Sequence, residues 1–116
     1  MIENQSRGTQ LATEVTWALS AADRMRGLLD RQALATGEAL ILSPCNSVHT
    51  FFMRFPIDVV FVSADGTVVR AIEELPPWRM TWVYFKARHT IELPVGSIAA
   101  SLTREGDQLA LPLHAR

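Results

Sequence analysis

Several features that would point directly to a function are scarce or missing in this chain. It contains one cysteine, Cys45, so no intramolecular disulfide can form, and this fits a reducing compartment. No apolar run approaches the roughly 20 residues of a membrane span. No apolar stretch follows a basic start at the N-terminus, as it would in a secretory leader. We therefore expect a cytoplasmic protein with no membrane span.

Motifs of the common catalytic and metal-binding sites are also lacking. There is no glycine-rich phosphate loop, no Gly-x-Ser-x-Gly turn and no His-Glu-x-x-His helix. Structural zinc takes four ligands, usually including paired cysteines, which one cysteine and three histidines do not readily supply. The formal net charge is −1, so only a local basic patch could attract nucleic acid or an anionic membrane. We predict neither a metal nor a cofactor.

The residues that are present indicate one small β-rich domain. The chain has 116 residues, 48% of them hydrophobic and 20% charged, which is ordinary for a single globular domain. Residues 1–8 are polar and are predicted to be a disordered tail, followed by a single globular domain over residues 9–113. The oligomeric state does not follow from these features.

Short alternating segments and frequent turns predict the fold class. Residues 11–19 alternate as a strand, and Ser20 is placed to begin a helix that contains Gly27. Residues 57–62 form a strongly β-prone run, and Asp65-Gly66 is a hairpin turn signal. We predict an α+β, β-rich fold: a small, partly closed, barrel-like sheet with one or two short flanking helices.

A set of short motifs in a specific order resembles a known family. The run CNSVHTFFMRFPIDVVF spans residues 45–61 and is the longest of them. The other marks are Gly27-Leu28-Leu29, Asp65-Gly66, Ile91-Glu92-Leu93-Pro94 with Gly96, and Gly106-Asp107. Together they resemble the domain-of-unknown-function 192 family over roughly residues 9–113. The resemblance implies a β-rich fold with a flanking helix, and it implies no reaction, cofactor or catalytic residue.

A candidate pocket is predicted around the residues His49, Thr50, Arg54 and Asp58. Asp58 lies in a run that is apolar on both faces, so its carboxylate should be at least half buried and must find partners. Arg54 and backbone N–H groups at the Pro56 corner are the local partners. We favour a structural role for Asp58 over orienting His49 or Arg54. Cys45 is expected to act as a small, half-buried hydrophobe rather than as a nucleophile.

A candidate contact surface is predicted at Trp78, Arg79, Trp82 and Tyr84. Aromatic side chains mixed with cations are what single-stranded nucleic acid binders use. The slightly acidic protein makes nucleic acid unlikely compared with a protein or small-molecule contact. Part of segment 78–85 is expected to be solvent-accessible, because it follows two prolines and has neither helical nor strand spacing. Glu92 and Asp107 are expected at the surface or in turns.

Three functions follow from these patterns. The favoured one is a non-enzymatic binding or accessory module for a small ligand or a protein partner. The first alternative is an enzyme of unrecognised class using His49 and Asp58, with or without Cys45. The second is a weak binder of single-stranded nucleic acid through segment 78–88. A pocket that gathers the polar groups would favour the enzyme, and an exposed apolar patch would favour the interaction module.

Overall fold

The strands of the protein form two sheets of unequal size. The computed structural model describes residues 1–113. Its elements are β1 (Ile2–Asn4), β2 (Thr9–Ala12), β3 (Glu14–Ala18), α1 (Ala21–Arg26), β4 (Glu38–Leu42), β5 (Ile57–Val62), β6 (Val68–Leu75), β7 (His89–Leu93), α2 (Ser97–Ser101) and β8 (Leu109–Ala110). The larger sheet has the order β3-β4-β7-β5-β6, and the smaller has the order β2-β1-β8. The predicted β-rich α+β class with short helices is confirmed, although the sheets do not close into a barrel within residues 1–113.

The central strand of the large sheet, β7, is covered on both faces. It pairs with β4 on one side and with β5 on the other, antiparallel in both cases. Ile91 and Leu93 point into the core between the two sheets, where they join Ile2 and Leu11. A second core cluster, which includes Leu28, covers the opposite face. The polar residues of β7 are therefore buried too, and Glu92 is only 4% exposed.

The hairpin that joins β5 and β6 confirms the turn predicted at Asp65-Gly66. The two strands are antiparallel neighbours. Gly66 has a φ of +90°, and a Cβ there would lie 2.4 Å from the carbonyl oxygen of Leu109. Both the backbone conformation and the close approach of the chain require glycine at this position.

The N-terminal residues are ordered, so the predicted tail over residues 1–8 is wrong. Ile2–Asn4 forms the middle strand of the small sheet, and Ile2 is completely buried. The Asn4 side chain donates to the carboxylate of Asp107 at 3.0 Å. Polar residues around Ile2 obscured this three-residue strand in the sequence. It pairs with the nearby β2 and with β8, which lies more than 100 residues away.

The first helix begins as predicted but ends early. The Ser20 hydroxyl accepts a hydrogen bond from the backbone N–H of Asp23, which caps the helix. The helix then stops at Arg26, and Gly27 forms its C-terminal cap with φ +45° and ψ −120°. Gly27 is therefore not inside the helix. Met25, in the last turn of the helix, is 79% exposed.

Candidate functional site

A cleft of about 320 Å³ lies on the outer face of the large sheet. Helix α1 and residues 27–29 form one wall, and residues within segment 44–53 form the other. Apolar side chains dominate the lining, among them Leu28, Leu42, Val48 and Met53. Glu92, on the central strand β7, contributes the only carboxyl group among the lining residues.

The Glu92 carboxyl is buried in apolar surroundings. In the sheet its register neighbours are Leu40 on β4 and Val59 on β5. Within residues 1–113 no hydrogen bond or ion pair joins the carboxyl to another side chain or to the backbone. Burial raises the pKa of Glu92 from 4.5 to about 7, because the charged form loses its hydration. The cleft thus contains a polar group that can gain or lose a proton near neutral pH.

The backbone at Gly27 closes over this carboxyl. A Cβ placed on Gly27 would lie 3.7 Å from Oε1 of Glu92. The positive φ of Gly27 turns the chain out of α1 and brings Leu28 down into the outer core. The local sequence therefore builds both the wall of the cleft and the cover over Glu92.

Cys45 and His49 both reach this cleft, but neither forms a catalytic pair there. The Cys45 thiol donates to the carbonyl oxygen of Ser47 at 3.1 Å. His49 is exposed, and its ring stacks on Phe51 with centroids 5.1 Å apart. Within the described chain no group of three or more His, Cys, Asp or Glu side chains is arranged to hold a metal ion.

Thr50 and Arg54 do not line the cleft. The buried Thr50 hydroxyl donates to the carbonyl oxygen of Pro76 at 2.6 Å and accepts from the N–H of Arg79 at 3.0 Å. Thr50 therefore fastens segment 44–53 to the chain that follows β6. Arg54 is exposed to solvent.

Asp58 lies on the opposite face of the sheet and is completely buried, which confirms its predicted burial. Its Oδ1 accepts from the N–H of Glu74 at 2.9 Å. Its Oδ2 accepts from Gly96 at 3.2 Å and from Ile98 at 2.9 Å. Backbone N–H groups were expected as partners, and all three partners are of this type. They belong to β6 and to the start of α2, however, and not to the Pro56 corner. The carboxylate joins three separate parts of the fold.

Six large apolar side chains next to the cleft form what we call the aromatic surface. Its members are Phe52, Trp78, Met80, Trp82, Val83 and Phe85, and the least exposed of them is 46% accessible. Trp82 and Phe85 are 83% and 88% exposed, so the predicted accessibility of segment 78–85 is confirmed. Tyr84 differs, because its half-buried ring packs on Phe61 with centroids 4.6 Å apart.

Hydrogen bonds between the two loop segments support this surface. The N–H of Thr81 donates to the carbonyl oxygen of Val48 at 2.9 Å, and that of Tyr84 donates to Asn46 at 2.8 Å. His49 lies opposite Met80 in an isolated bridge, so it borders both the cleft and the aromatic surface. Arg79 is exposed beside Trp78.

Sequence reasoning missed Glu92 as a site residue. Its position in the alternating strand 89–93 suggested a solvent-facing side chain, whereas the structure buries it. The burial of Glu92 follows from the apolar strands β4 and β5 on either side of β7, and this pairing is known only from the structure. Asp107, expected at the surface or in a turn, accepts from the N–H of Arg104 in a turn at 3.1 Å, but it is buried and paired with Arg7 at 3.0 Å.

Comparison with known proteins agrees with the fold and the motifs. The model of the DUF192 family, described as "Uncharacterized ACR", matches residues 2–111. A UPF0127 protein of Pyrococcus horikoshii is 34% identical over 112 residues, covering 94% of this chain and 96% of the relative. A UPF0127 protein of Pyrococcus furiosus is 32% identical, covering 91% of this chain and 93% of the relative.

A solved structure shares the fold at lower sequence identity. It is a protein of unknown function from Novosphingobium aromaticivorans, with a TM-score of 0.75 and 20% identity. The alignment covers 84% of this chain and 74% of that chain. Because the family model spans nearly the whole sequence and two relatives exceed 30% identity over almost their full length, the chain belongs to the DUF192 family.

Proposed function

We propose that this protein is a binding module whose cleft takes a small, largely apolar molecule that hydrogen-bonds to Glu92. The observation that carries the proposal is that Glu92, a residue only 4% exposed, lines a cleft and has no hydrogen-bond partner within residues 1–113. Buried polar groups in folded proteins are nearly always hydrogen-bonded, either to the protein or to a molecule bound beside them. A ligand group in the cleft would supply the partner that the protein does not.

The walls of the cleft define the chemistry of this ligand. A volume of about 320 Å³ is at the small end of the range for organic ligands, roughly 300–1,000 Å³. The apolar lining suits a hydrocarbon or aromatic body. The protonated carboxyl both donates and accepts, so a hydroxyl or primary amide group complements it. Two cations line the cleft, and both have partners: Arg24 donates to the carbonyl oxygens of Leu19 and Ser43, and Arg26 pairs with Asp30 at 3.9 Å. This favours a neutral ligand over an anionic one.

The placement of the other polar residues favours binding over catalysis. Enzymes combine a proton-transfer group with a nucleophile or a second polar group at hydrogen-bond distance. Asp58 lies across the sheet from the cleft, and the Cys45 thiol bonds to a carbonyl oxygen. The candidate pair His49 and Asp58 therefore shares no pocket, and within residues 1–113 no hydrogen bond joins Glu92 to Cys45 or His49, which line the same cleft.

Nuclear magnetic resonance with small probes tests this proposal. Phenol, benzamide and cyclohexanol each combine an apolar body with one hydrogen-bonding group. Their addition at millimolar concentration should shift amide signals of residues 27–29, 45–49 and 91–93. Glu92→Gln keeps a donor and an acceptor and should retain binding, whereas Glu92→Leu should weaken it by about tenfold, roughly one hydrogen bond to a buried group. Glu3→Gln, at an exposed carboxyl on the small sheet, is the matched control.

Two results would contradict the proposal. One is that the three probes shift signals only outside the cleft. The other is that Glu92→Leu, folded and melting cooperatively, binds them as tightly as the wild type does.

A further inference from the structure

Charge is distributed unevenly between the aromatic surface and the rest of the protein. Segments 43–56 and 76–91, which carry this surface, contain four of the eleven Lys and Arg residues and none of the twelve acidic residues. The four cations are Arg54, Arg79, Lys86 and Arg88, and all four are exposed. The remainder of the chain holds seven cations and twelve acids. The net charge of −1 is therefore the sum of two cationic segments and an acidic remainder.

The apolar side chains of this region are displayed to solvent rather than packed. Phe52, Met80, Trp82 and Phe85 are each at least 70% exposed, and Trp78 is 56% exposed. Four of these five residues lie within segment 78–85, and the fifth, Phe52, packs on Trp78 with ring centroids 4.7 Å apart. Exposed apolar groups that occur together in this way mark interaction sites. The loops that carry these side chains are held together by the buried Thr50 hydroxyl and by backbone hydrogen bonds. The exposure of the side chains is therefore a fixed feature of the fold.

We infer that the aromatic surface docks on an anionic lipid bilayer. Tryptophan and phenylalanine side chains partition into the interfacial region of a bilayer, while Arg and Lys around them bind the anionic headgroups. The segments that carry the surface offer this combination: large apolar tips at 52, 78, 80, 82 and 85, and cations at 54, 79 and 88. Lys86 instead borders a groove that also contains Asp65 and Glu105. The acidic remainder of the protein is repelled by the same headgroups, which orients the molecule with the aromatic surface toward the membrane. The docking is independent of the ligand proposed for the cleft.

The details of the surface favour a bilayer over nucleic acid or a protein. Bases stack on free aromatic faces, but several rings here already contact one another: Phe52 with Trp78 at 4.7 Å, and His49 with Phe51 at 5.1 Å. Met80 and Val83 are aliphatic and offer no stacking face. Protein hot spots lie in well-packed, desolvated pockets, whereas Trp82 and Phe85 protrude almost completely into solvent.

Vesicle flotation tests the inference with the whole chain. The probes are vesicles of pure phosphatidylcholine and vesicles of phosphatidylcholine and phosphatidylglycerol in a 3:1 ratio, each at low and high salt. The protein should float with the anionic vesicles at low salt, should be released at high salt, and should bind the neutral vesicles at least about tenfold more weakly. Vesicles with brominated chains should quench the tryptophan fluorescence, because Trp78 and Trp82 enter the interface.

Variants identify the surface responsible. Trp82→Ala with Phe85→Ala, and Arg54→Glu with Arg79→Glu, should each reduce partitioning by about tenfold or more. Leu113→Ala and Arg104→Glu are the matched controls: Leu113 is 99% exposed and Arg104 is an exposed cation, and neither belongs to the surface. Both should bind as the wild type does. All four proteins must melt like the wild type, which is expected because the substituted side chains are exposed.

Three outcomes would overturn the inference. The first is no flotation with either vesicle. The second is flotation that the surface variants retain. The third is tight binding of oligo(dT) without vesicle binding, which would assign the surface to nucleic acid instead.

Discussion

Gly27 and Glu92 meet across the cleft although they are 65 residues apart: a Cβ on Gly27 would contact Oε1 of Glu92 at 3.7 Å. The contact arises because the positive φ of Gly27 ends α1 and turns residues 27–29 over β7. A residue that controls helix termination therefore also controls how water reaches the buried carboxyl.

Substituting Gly27→Ala should change both stability and the acidity of Glu92. An alanine at this φ and ψ is strained by about 1–3 kcal/mol, so the free energy of unfolding should fall by that amount. The added methyl group should displace water near Oε1 and raise the pKa of Glu92 further. Urea unfolding measures the first effect, and a carbon-13 titration of the carboxyl measures the second.

Gly8→Ala is the control for this substitution. Gly8 also has a positive φ, +68°, but a Cβ there meets nothing within 4 Å. Gly8→Ala should lower the free energy of unfolding and leave the Glu92 titration unchanged. The same Glu92 titration in both alanine variants would show that a Cβ at position 27 does not affect the Glu92 carboxyl.

The buried Glu92 should make the protein less stable as pH rises toward neutrality. Its pKa is about 7 in the folded protein and 4.5 for an unburied carboxyl, so the unfolded chain releases its proton first. Between these pH values the folded state binds more protons, and the free energy of unfolding falls by about 3 kcal/mol in total. Glu92→Gln should remove this dependence. Urea unfolding at pH 4.5 and pH 8 should show the difference, and Glu3→Gln, at an exposed carboxyl, should retain the wild-type slope.

The contrast between Asp58 and Glu92 explains how far the sequence predicts this site. Asp58 stands among aliphatic residues on both faces of a strand, so its burial follows from local pattern. Its partners, at Glu74, Gly96 and Ile98, follow only from the tertiary fold. Glu92 lies between the apolar residues Ile91 and Leu93. The same polar–apolar alternation occurs in strands with one exposed face and in strands covered on both faces. Period-two patterns cannot distinguish these two cases.

The fold class was accessible from sequence because it depends on local signals. The hairpin at Asp65-Gly66 and the cap at Ser20 are each determined by a few adjacent residues. Strand β1 was missed because Ile2–Asn4 has only three residues, two of them polar, although it pairs with the nearby β2 as well as with Leu109–Ala110 at the far end of the chain. So short a strand leaves little trace in a single sequence.

Asp58→Asn should destabilise the protein without changing its shape. The carboxylate accepts three backbone N–H groups, and the amide nitrogen of asparagine would face at least one of them as a second donor. We expect the free energy of unfolding to fall by about 1–3 kcal/mol, the range for a disrupted buried polar group. Asp30→Asn removes a charge at an exposed site and should change stability by less than about 0.5 kcal/mol. An unchanged melting temperature for Asp58→Asn would refute the structural role of Asp58.

The ion pair between Arg7 and Asp107 should stabilise the ordered N-terminus at neutral pH. Hydrogen bonds from Arg7, together with one from Asn4, hold the pKa of Asp107 at about 2, below its usual 3.8. A depressed pKa contributes stability above pH 3.8 that is lost as the pH falls through 2. A double-mutant cycle with Arg7→Ala and Asp107→Asn should therefore give a coupling of about 1–2 kcal/mol at pH 7, and almost none near pH 2.

The pair Arg70 and Glu105 provides the comparison for this cycle. Its N–O distance is 3.1 Å, close to the 3.0 Å of Arg7 and Asp107, but its side chains are 50% and 57% exposed rather than 27% and 5%. Water screens exposed pairs, so the cycle with Arg70→Ala and Glu105→Gln should give less than about 0.5 kcal/mol. Equal coupling in the two cycles would mean that the burial of Asp107 adds nothing. In that case the order of β1 would depend on its pairing with β2 and β8, the hydrogen bonds of Asn4 and the packing of Ile2.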